Sequence, residues 1–341
     1  MTTKPRAKVL RTSPFSLSES KWNELREIAD VIDCESTNRD EFIRDLQTKY
    51  ADITNIARDF DSLAITGRLD AEIAKHVPST LKTISHCGAG YDQIDVAPFT
   101  EIGVQVSNVT DPVAGPTADT AVFLVLGAMR RFVDGHKALV TGQWPMAAAE
   151  GRNVIDMAHS PQGKTLAILG MGGIGRAIRD RLTPFGFEKI IYYNRNRLSP
   201  ELEKNAEYAS LDELYRTADV IVIGIPLNAN TRHMINKESI GKMKDGVVLV
   251  NIARGAIIDE AVLPEMIKSG KIGAFGSDVF EHEPEVSPEL YNLPNVVSLP
   301  HLGTHSIEAS RNMEEWVVEN IESYIKTGKV KTIVPEQKDL F

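Results

Sequence analysis

The chain has 341 residues, 42% of them apolar, a formal net charge of −9 and two cysteines. That length and apolar content fit two domains with their own cores and exclude compositional disorder and collagen-like repeats. The acidic balance excludes a general electrostatic footprint for nucleic acid, while Cys34 and Cys87, far apart and without metal-type spacing, argue against a disulfide framework and for a reduced, cytoplasmic setting.

The opening MTTKPRAKVLRTSPF lacks the long apolar core of a secretory leader. No stretch approaches the roughly 18 uninterrupted apolar residues of a membrane span, so no membrane partner is expected. Lys8 to Arg11 reads as an opening strand. Trp22, Leu25 and Ile28 lie at helical spacing and predict a helix over 18–29. Asn38, with Glu41 three residues on, reads as an N-cap and its reciprocal partner for a helix running to Leu46. Leu63 to Thr66 reads as a short strand, Ala71 to His76 as a helix, and Leu81 to Ser85 and Val104 to Val106 as further strands. This alternation predicts a small α/β domain with a parallel sheet.

Thr117 to Arg131 is predicted as a helix. Ala121, Val122, Leu124, Val125, Leu126 and Met129 make it apolar nearly all round, which predicts burial between domains or subunits. Residues 135–162, with Gly142, Trp144, Pro145, Gly151 and Pro161, read as an irregular excursion.

Residues 165–197 organise the rest of the chain. The apolar run Leu166–Leu169 is followed by Gly170, Gly172 and Gly175, then by an amphipathic segment and a second apolar run, Ile190–Tyr193. In a strand–turn–helix the first glycine makes the turn, the second lets a pyrophosphate approach the backbone, and the third lets helix and strand pack closely. About 20 residues past such glycines an Asp or Glu usually meets a free ribose 2′-hydroxyl. Here Asn194 stands there, followed by Arg195, Asn196 and Arg197. Asn194 lacks the charge that repels a 2′-phosphate, and an arginine can bond to one, so NADP(H) is expected ahead of NAD(H). A merely solvated loop is the plainer alternative.

Beyond this unit, 211–217 reads as a helix, Val220–Ile225 and Val247–Val250 as strands, 258–269 as containing a helix, and Ile272–Gly276 and Val296–Leu299 as the closing strands. Continuous apolar strands with helical crossovers predict a parallel sheet covered on both faces, with ligands beyond the C-terminal strand ends. A last helix over 306–326 sets Met313, Trp316, Val317, Ile321 and Tyr324 on one face and stops at Gly328. The N-terminal domain is its expected partner, which makes that domain discontinuous. The tail from Lys329 is expected to be partly mobile.

Three strand ends carry polar groups that a plain core does not need: Asn251-Ile252-Ala253-Arg254-Gly255, Asp278 to Pro284, and Pro300-His301-Leu302-Gly303. Together they offer an arginine anchor, an acid/base histidine and a carboxylate to orient it, the parts that hydride transfer to a carbonyl requires. Taken singly, each could be structural, and Glu281-His282-Glu283 could be a charged loop. His301 and His305 are four apart, but HExxH and paired cysteines are absent, so no metal is expected.

The chain resembles the D-isomer-specific 2-hydroxyacid dehydrogenases over almost its entire length. The matching pieces are GAGYDQID at 88–95, the glycine motif at 170–175, IPLNANTRHMIN at 225–236, NIARGAIIDE at 251–260, GSDVFEHEP at 276–284 and SLPHLGTHS at 298–306. The resemblance implies a Rossmann-type doubly wound domain over 113–307 and a smaller flavodoxin-like substrate domain from 1–112 and 308–341. It also implies a cleft closing between them and a homodimer formed through 117–162.

It further implies that Arg254 holds the substrate carboxylate and carbonyl oxygen, that Glu283 pairs with His301, and that His301 exchanges the proton. The backbone at Ala89 and Gly90 would receive the carboxylate, and Asp278 would lie near the nicotinamide. The implied dinucleotide set is Gly170, Gly172, Gly173, Ile174 and Gly175 with Asn194 and Arg195, joined by Thr117, Pro226, Thr231, Asp278, His301 and Gly303. Tyr91 and the Ala118-Asp119 pair depart from the common family pattern. The implied activity is reduction of a 2-oxoacid such as glyoxylate, hydroxypyruvate or a larger one. A D-mandelate dehydrogenase and a nucleotide-sensing interaction protein resembling the family's corepressors are the alternatives.

Overall fold

Among the residues described in the computed structural model, 6–341, twelve strands form two wholly parallel sheets. The first five residues of the stretch weighed as a leader lie outside the described residues. Strands β1 (Ala7–Arg11), β2 (Ala29–Asp33), β3 (Asn55–Arg58), β4 (Thr83–His86) and β5 (Gln105–Ser107) make the first sheet, in the order β2-β1-β3-β4-β5. This is the flavodoxin-like order.

The second sheet holds β6 (Thr165–Leu169), β7 (Lys189–Tyr193), β8 (Ala206–Tyr208), β9 (Val220–Ile223), β10 (Val247–Asn251), β11 (Ile272–Ser277) and β12 (Val296–Ser298). Their order is β12-β11-β10-β9-β6-β7-β8. The chain runs outward from β6 to β8 and then returns to the other side of β6 at β9, so the crevice between β6 and β9 is a Rossmann-type switch point.

Contacts divide the chain into two units, the described residues up to Val113 with Ser306–Phe341, and Ala114–His305. In the second unit the strand period of two sends alternate side chains to opposite cores. Ala167, Leu169, Ile221 and Ile223 join one cluster with Leu214, Ile240 and Ile267 from covering helices. Leu166, Ile168, Val220 and Val222 join the other, with Ala121, Leu124 and Ile178. Both faces are covered, which is why β9 is continuously apolar and buried.

In the first unit, Phe42, Leu46 and Ile73 cover one face, and Trp22, Leu25, Val317, Val318 and Ile321 the other. The last helix, Ile307–Thr327, thus packs on the N-terminal sheet and ends at Gly328 with φ 80°.

Several expectations need correction. Leu63–Thr66 is a single helical turn; the strand lies earlier, at β3, whose Asn55 and Arg58 disguise it although all four residues are buried. The first helix stops at Arg26, Ile28 lies outside it, and β2 begins at Ala29. Asn38 caps the Glu41 N–H as expected, but the Glu41 carboxylate turns to the Thr37 N–H (2.8 Å) instead of to Asn38. The 135–162 excursion is substantially helical, with helices Phe132–Val140 and Gln143–Ala149 separated by left-handed Gly142. Helix Ala114–Arg130 is buried against strands of its own unit, and Phe123 on its outer side is 48% exposed. The tail is held down: Val334 donates to Val106 (3.0 Å), and the buried Gln337 side chain bonds to Val104 and Val106.

Candidate active site

The glycine turn shows what each glycine does. Gly170 has φ 103°, and a Cβ there would lie 2.7 Å from the Gly224 backbone. A Cβ on Gly175 would lie 2.2 Å from the Gly170 carbonyl oxygen, so helix Gly173–Leu182 can approach β6 only because that atom is missing. A Cβ on Gly172 or Gly173 would meet nothing within 4 Å. Their outer face is open at a helix N-terminus. Gly172, Gly173 and Ile174 thus form a cradle that fits a pyrophosphate.

At the end of β7, Asn194 Oδ1 accepts the Met171 N–H at 2.7 Å, so this side chain fastens the glycine turn itself. Arg197 closes on both oxygens of Glu203, at 2.8 and 3.0 Å. Arg195 is exposed. Across the switch point, the Thr231 hydroxyl donates to the Pro226 carbonyl (2.7 Å) and accepts the Asn228 N–H (2.8 Å), closing the turn beyond β9.

Arg254 follows β10. The buried Asn251 shapes its loop, donating to the Arg254 carbonyl (2.9 Å) and accepting the Ala253 N–H (3.1 Å). A Cβ on Gly255 would fall 1.8 Å from the Phe280 carbonyl carbon. This close approach seats the arginine loop against the loop that carries Glu283.

Glu283 Oε1 accepts the Phe280 N–H (2.8 Å), and Oε2 lies 2.8 Å from His301 Nδ1. Burial pushes the Glu283 carboxyl up. The bonds from His301 and Phe280 and the charges of His301 and Arg254 outweigh this and hold it below the usual carboxylate range.

His301 sits at φ 55°, with its N–H on the Asp278 carbonyl (2.9 Å). Asp278 is buried, and its two oxygens accept the Leu302 N–H (2.7 Å) and the Gly303 N–H (2.8 Å). Burial raises the Asp278 carboxyl despite these N–H groups. Asp278 therefore holds the histidine turn, and a Cβ on Gly303 would be 3.0 Å from Asp278 and 3.6 Å from the Thr117 hydroxyl. One edge of the second unit thus brings together Thr117, Arg254, Asp278, Glu283, His301 and Gly303.

In the first unit the Ala89 carbonyl accepts Asn108 Nδ2 (2.7 Å), and the Gly90 carbonyl lies 3.0 Å from His86 Nε2. Among the described residues no acceptor takes the N–H of either Ala89 or Gly90. Sequence reasoning singled out Asn251 as a polar strand end without assigning its role, and it missed Asn108 and the Arg232–His233 pair. The last two residues both reach Glu281 Oε1 at 2.7 Å and hold the loop two residues before Glu283. The only sequence signal for Asn251 was a polar residue ending an apolar strand. Among the described residues no group of three His, Cys, Asp or Glu could hold a metal, and no helix is long and apolar enough to cross a membrane.

A dinucleotide cradle and a carboxylate-bound imidazole beyond the C-terminal strand ends of one doubly wound sheet define the class of dinucleotide-dependent oxidoreductases. Residues 122–303 match the model of the D-isomer specific 2-hydroxyacid dehydrogenase NAD binding domain. The chain belongs to the D-isomer specific 2-hydroxyacid dehydrogenase family. It is 48% identical to glyoxylate reductase 1 of Saccharomyces cerevisiae, over 96% of this chain and 94% of that one. It is 45% identical to 4-methyl-2-oxopentanoate reductase A of Aspergillus oryzae, over 95% and 96%. The crystal structure of a glyoxylate reductase from Paecilomyes thermophila superimposes with a TM-score of 0.93 at 41% identity, covering 98% of this chain and 100% of that one.

Proposed function

We propose that the protein is a 2-oxoacid reductase that uses NADPH ahead of NADH, forms the D-2-hydroxyacid and works as a homodimer. The observation that carries the reading is Arg254 beside the Glu283–His301 pair, at the sheet edge that also bears the glycine cradle. A nicotinamide dinucleotide, when bound, supplies the hydride for the keto carbon.

The chain's own residues do the rest. The N–H groups of Gly172, Gly173 and Ile174 hold the pyrophosphate, and Arg195 takes the 2′-phosphate. The Arg254 fork holds the substrate carboxylate and the keto oxygen. As the keto oxygen gains negative charge, Arg254 stabilises it and His301 hands it a proton from Nε2. Glu283 at Nδ1 fixes the ring for that transfer. The named activities of the two curated relatives support glyoxylate and larger 2-oxoacids such as 4-methyl-2-oxopentanoate as substrates.

The test follows nicotinamide absorbance with NADPH or NADH against glyoxylate, hydroxypyruvate, 4-methyl-2-oxopentanoate and benzoylformate. Turnover is expected with NADPH ahead of NADH. Arg195→Ala should lower that selectivity about 10- to 100-fold, the worth of one charge-assisted bond. A wild-type preference for NADH overturns the cofactor assignment. Nucleotide binding without turnover of any oxoacid overturns the reductase.

A further inference from the structure

The loop after β7 is fastened on both sides of Arg195. On one side, Asn194 Oδ1 accepts the Met171 N–H at 2.7 Å, and the Asn194 carbonyl accepts the Tyr208 hydroxyl at 3.2 Å. On the other side, the buried Tyr192 hydroxyl accepts the Leu198 N–H at 2.9 Å and donates to Glu203 Oε1 at 2.6 Å. Arg197 grips the same carboxylate with Nε and Nη2. Glu203 is firmly rooted. It ends the helical turn Pro200–Glu203, its side chain is only 7% exposed, and its carbonyl accepts Arg179 Nη1 at 3.1 Å. Between these fastenings Arg195 is exposed, and no described carboxylate pairs with it.

We infer that Glu203, with Tyr192 and Arg197, is a positioning bracket for recognition of the cofactor's 2′-phosphate. The bracket withdraws Arg197 from the phosphate and fixes the backbone from which Arg195 reaches it. The inference rests on the NADPH reading above and assigns part of the selectivity to residues that act only through the placement of Arg195. The physical reason is preorganisation. A buried carboxylate keeps its place because its partners satisfy it. A loop ordered before binding does not lose that conformational freedom when the phosphate arrives. NADH, which lacks the phosphate, gains nothing from the bracket.

Two variants break the bracket at different atoms without changing net charge. Tyr192→Phe removes the hydroxyl that joins Leu198 to Glu203. The double variant Arg197→Gln/Glu203→Gln removes the fork. Steady-state kinetics with each cofactor, alongside thermal denaturation, read the result. We expect KM for NADPH to rise about tenfold, the cost of re-ordering roughly one backbone residue. KM for NADH and kcat at saturating NADPH should be unchanged.

An unchanged KM for NADPH in the variants that fold overturns the inference. So does an equal rise for both cofactors, which would mark a structural role only. If the wild type shows no preference for NADPH, the cofactor reading has failed and the bracket falls with it. If Arg195→Ala abolishes the preference while both bracket variants keep it, the cofactor reading stands and the bracket alone is refuted.

Discussion

His301 Nδ1 lies 2.8 Å from Glu283 Oε2, and the two residues come from different strand ends, 18 positions apart. The bond directs the Nδ1 edge of the imidazole to a carboxylate that the Phe280 N–H also holds. His301→Ala should therefore cost about 10²-fold or more in kcat, the usual worth of a positioned acid/base group. A clean His301→Ala enzyme with full turnover would remove the histidine from the mechanism.

The Glu283 carboxyl is held below its ordinary value of 4.5 in the fold. A carboxyl depressed in this way contributes stability that is present above the unfolded value and lost as pH falls through the folded one. The pair should accordingly remain intact at neutral pH and fail only on the acid side of 4.5. Comparing acid denaturation of wild type and Glu283→Gln measures this. The variant should lose that part of the pH dependence, and kcat should fall about 10- to 100-fold because the ring is no longer held by a charge. Identical acid unfolding curves for the two proteins would contradict the assignment.

The glycines of the turn should separate folding from binding. Gly175→Ala places a Cβ 2.2 Å from the Gly170 carbonyl oxygen and should destabilise by about 3 kcal/mol. Gly172→Ala meets no protein atom, so its melting temperature should match the wild type while dinucleotide affinity falls. Thermal denaturation paired with a nucleotide titration tests both. A Gly175→Ala that melts with the wild type or a tight-binding Gly172→Ala would refute the respective role.

Asn194 serves the turn through Met171, and its consequences should differ from those of Arg195. Asn194→Ala leaves the Met171 N–H without its acceptor, which costs about 1–3 kcal/mol if that donor stays buried. Affinity for NADPH and NADH should fall together. A selective loss of NADPH would instead tie Asn194 to recognition of the phosphate, by contact or through the Arg195 loop that it fastens.

Residues 123–157 expose an unusual run of large apolar side chains, among them Val140 at 65%, Trp144 at 56%, Met146 at 65% and Met157 at 86%. Such a surface is what the proposed homodimer would cover. Light scattering should give twice the mass of one chain, and Val140→Glu with Met146→Glu should shift the protein toward monomer. A monomeric wild type would refute the proposed homodimer.

The glycine turn, the continuous apolar strands of the second sheet and the three polar strand ends were legible in the sequence because each is local. A turn needs its glycine where φ is positive, and a strand buried on both faces is apolar throughout. The errors arose where local signals and tertiary context disagree. Asn55 and Arg58 made β3 look polar, yet the fold buries both. Leu63–Thr66 looked like a strand, but a four-residue apolar run has no period long enough to tell strand from helix.

By itself the sequence determined the α/β class, the dinucleotide turn and the family, together with the residue types at the reactive edge. Residue types and spacing alone could not determine which of those residues meet; the Glu283–His301 pair was implied only by the family resemblance. Glu281, His282 and Glu283 are equivalent as text. Only the close packing of Gly255 against Phe280 and of Asp278 beneath the 301–303 turn aims Glu283 at His301 while Glu281 goes to Arg232 and His233. Likewise, Arg195 and Arg197 are two like charges in one motif until Glu203, brought back by the turn at 200–203, takes one of them. Local sequence sets which groups are available, and long-range packing alone sets the distances of a few ångströms at which hydrogen bonds and proton transfer operate.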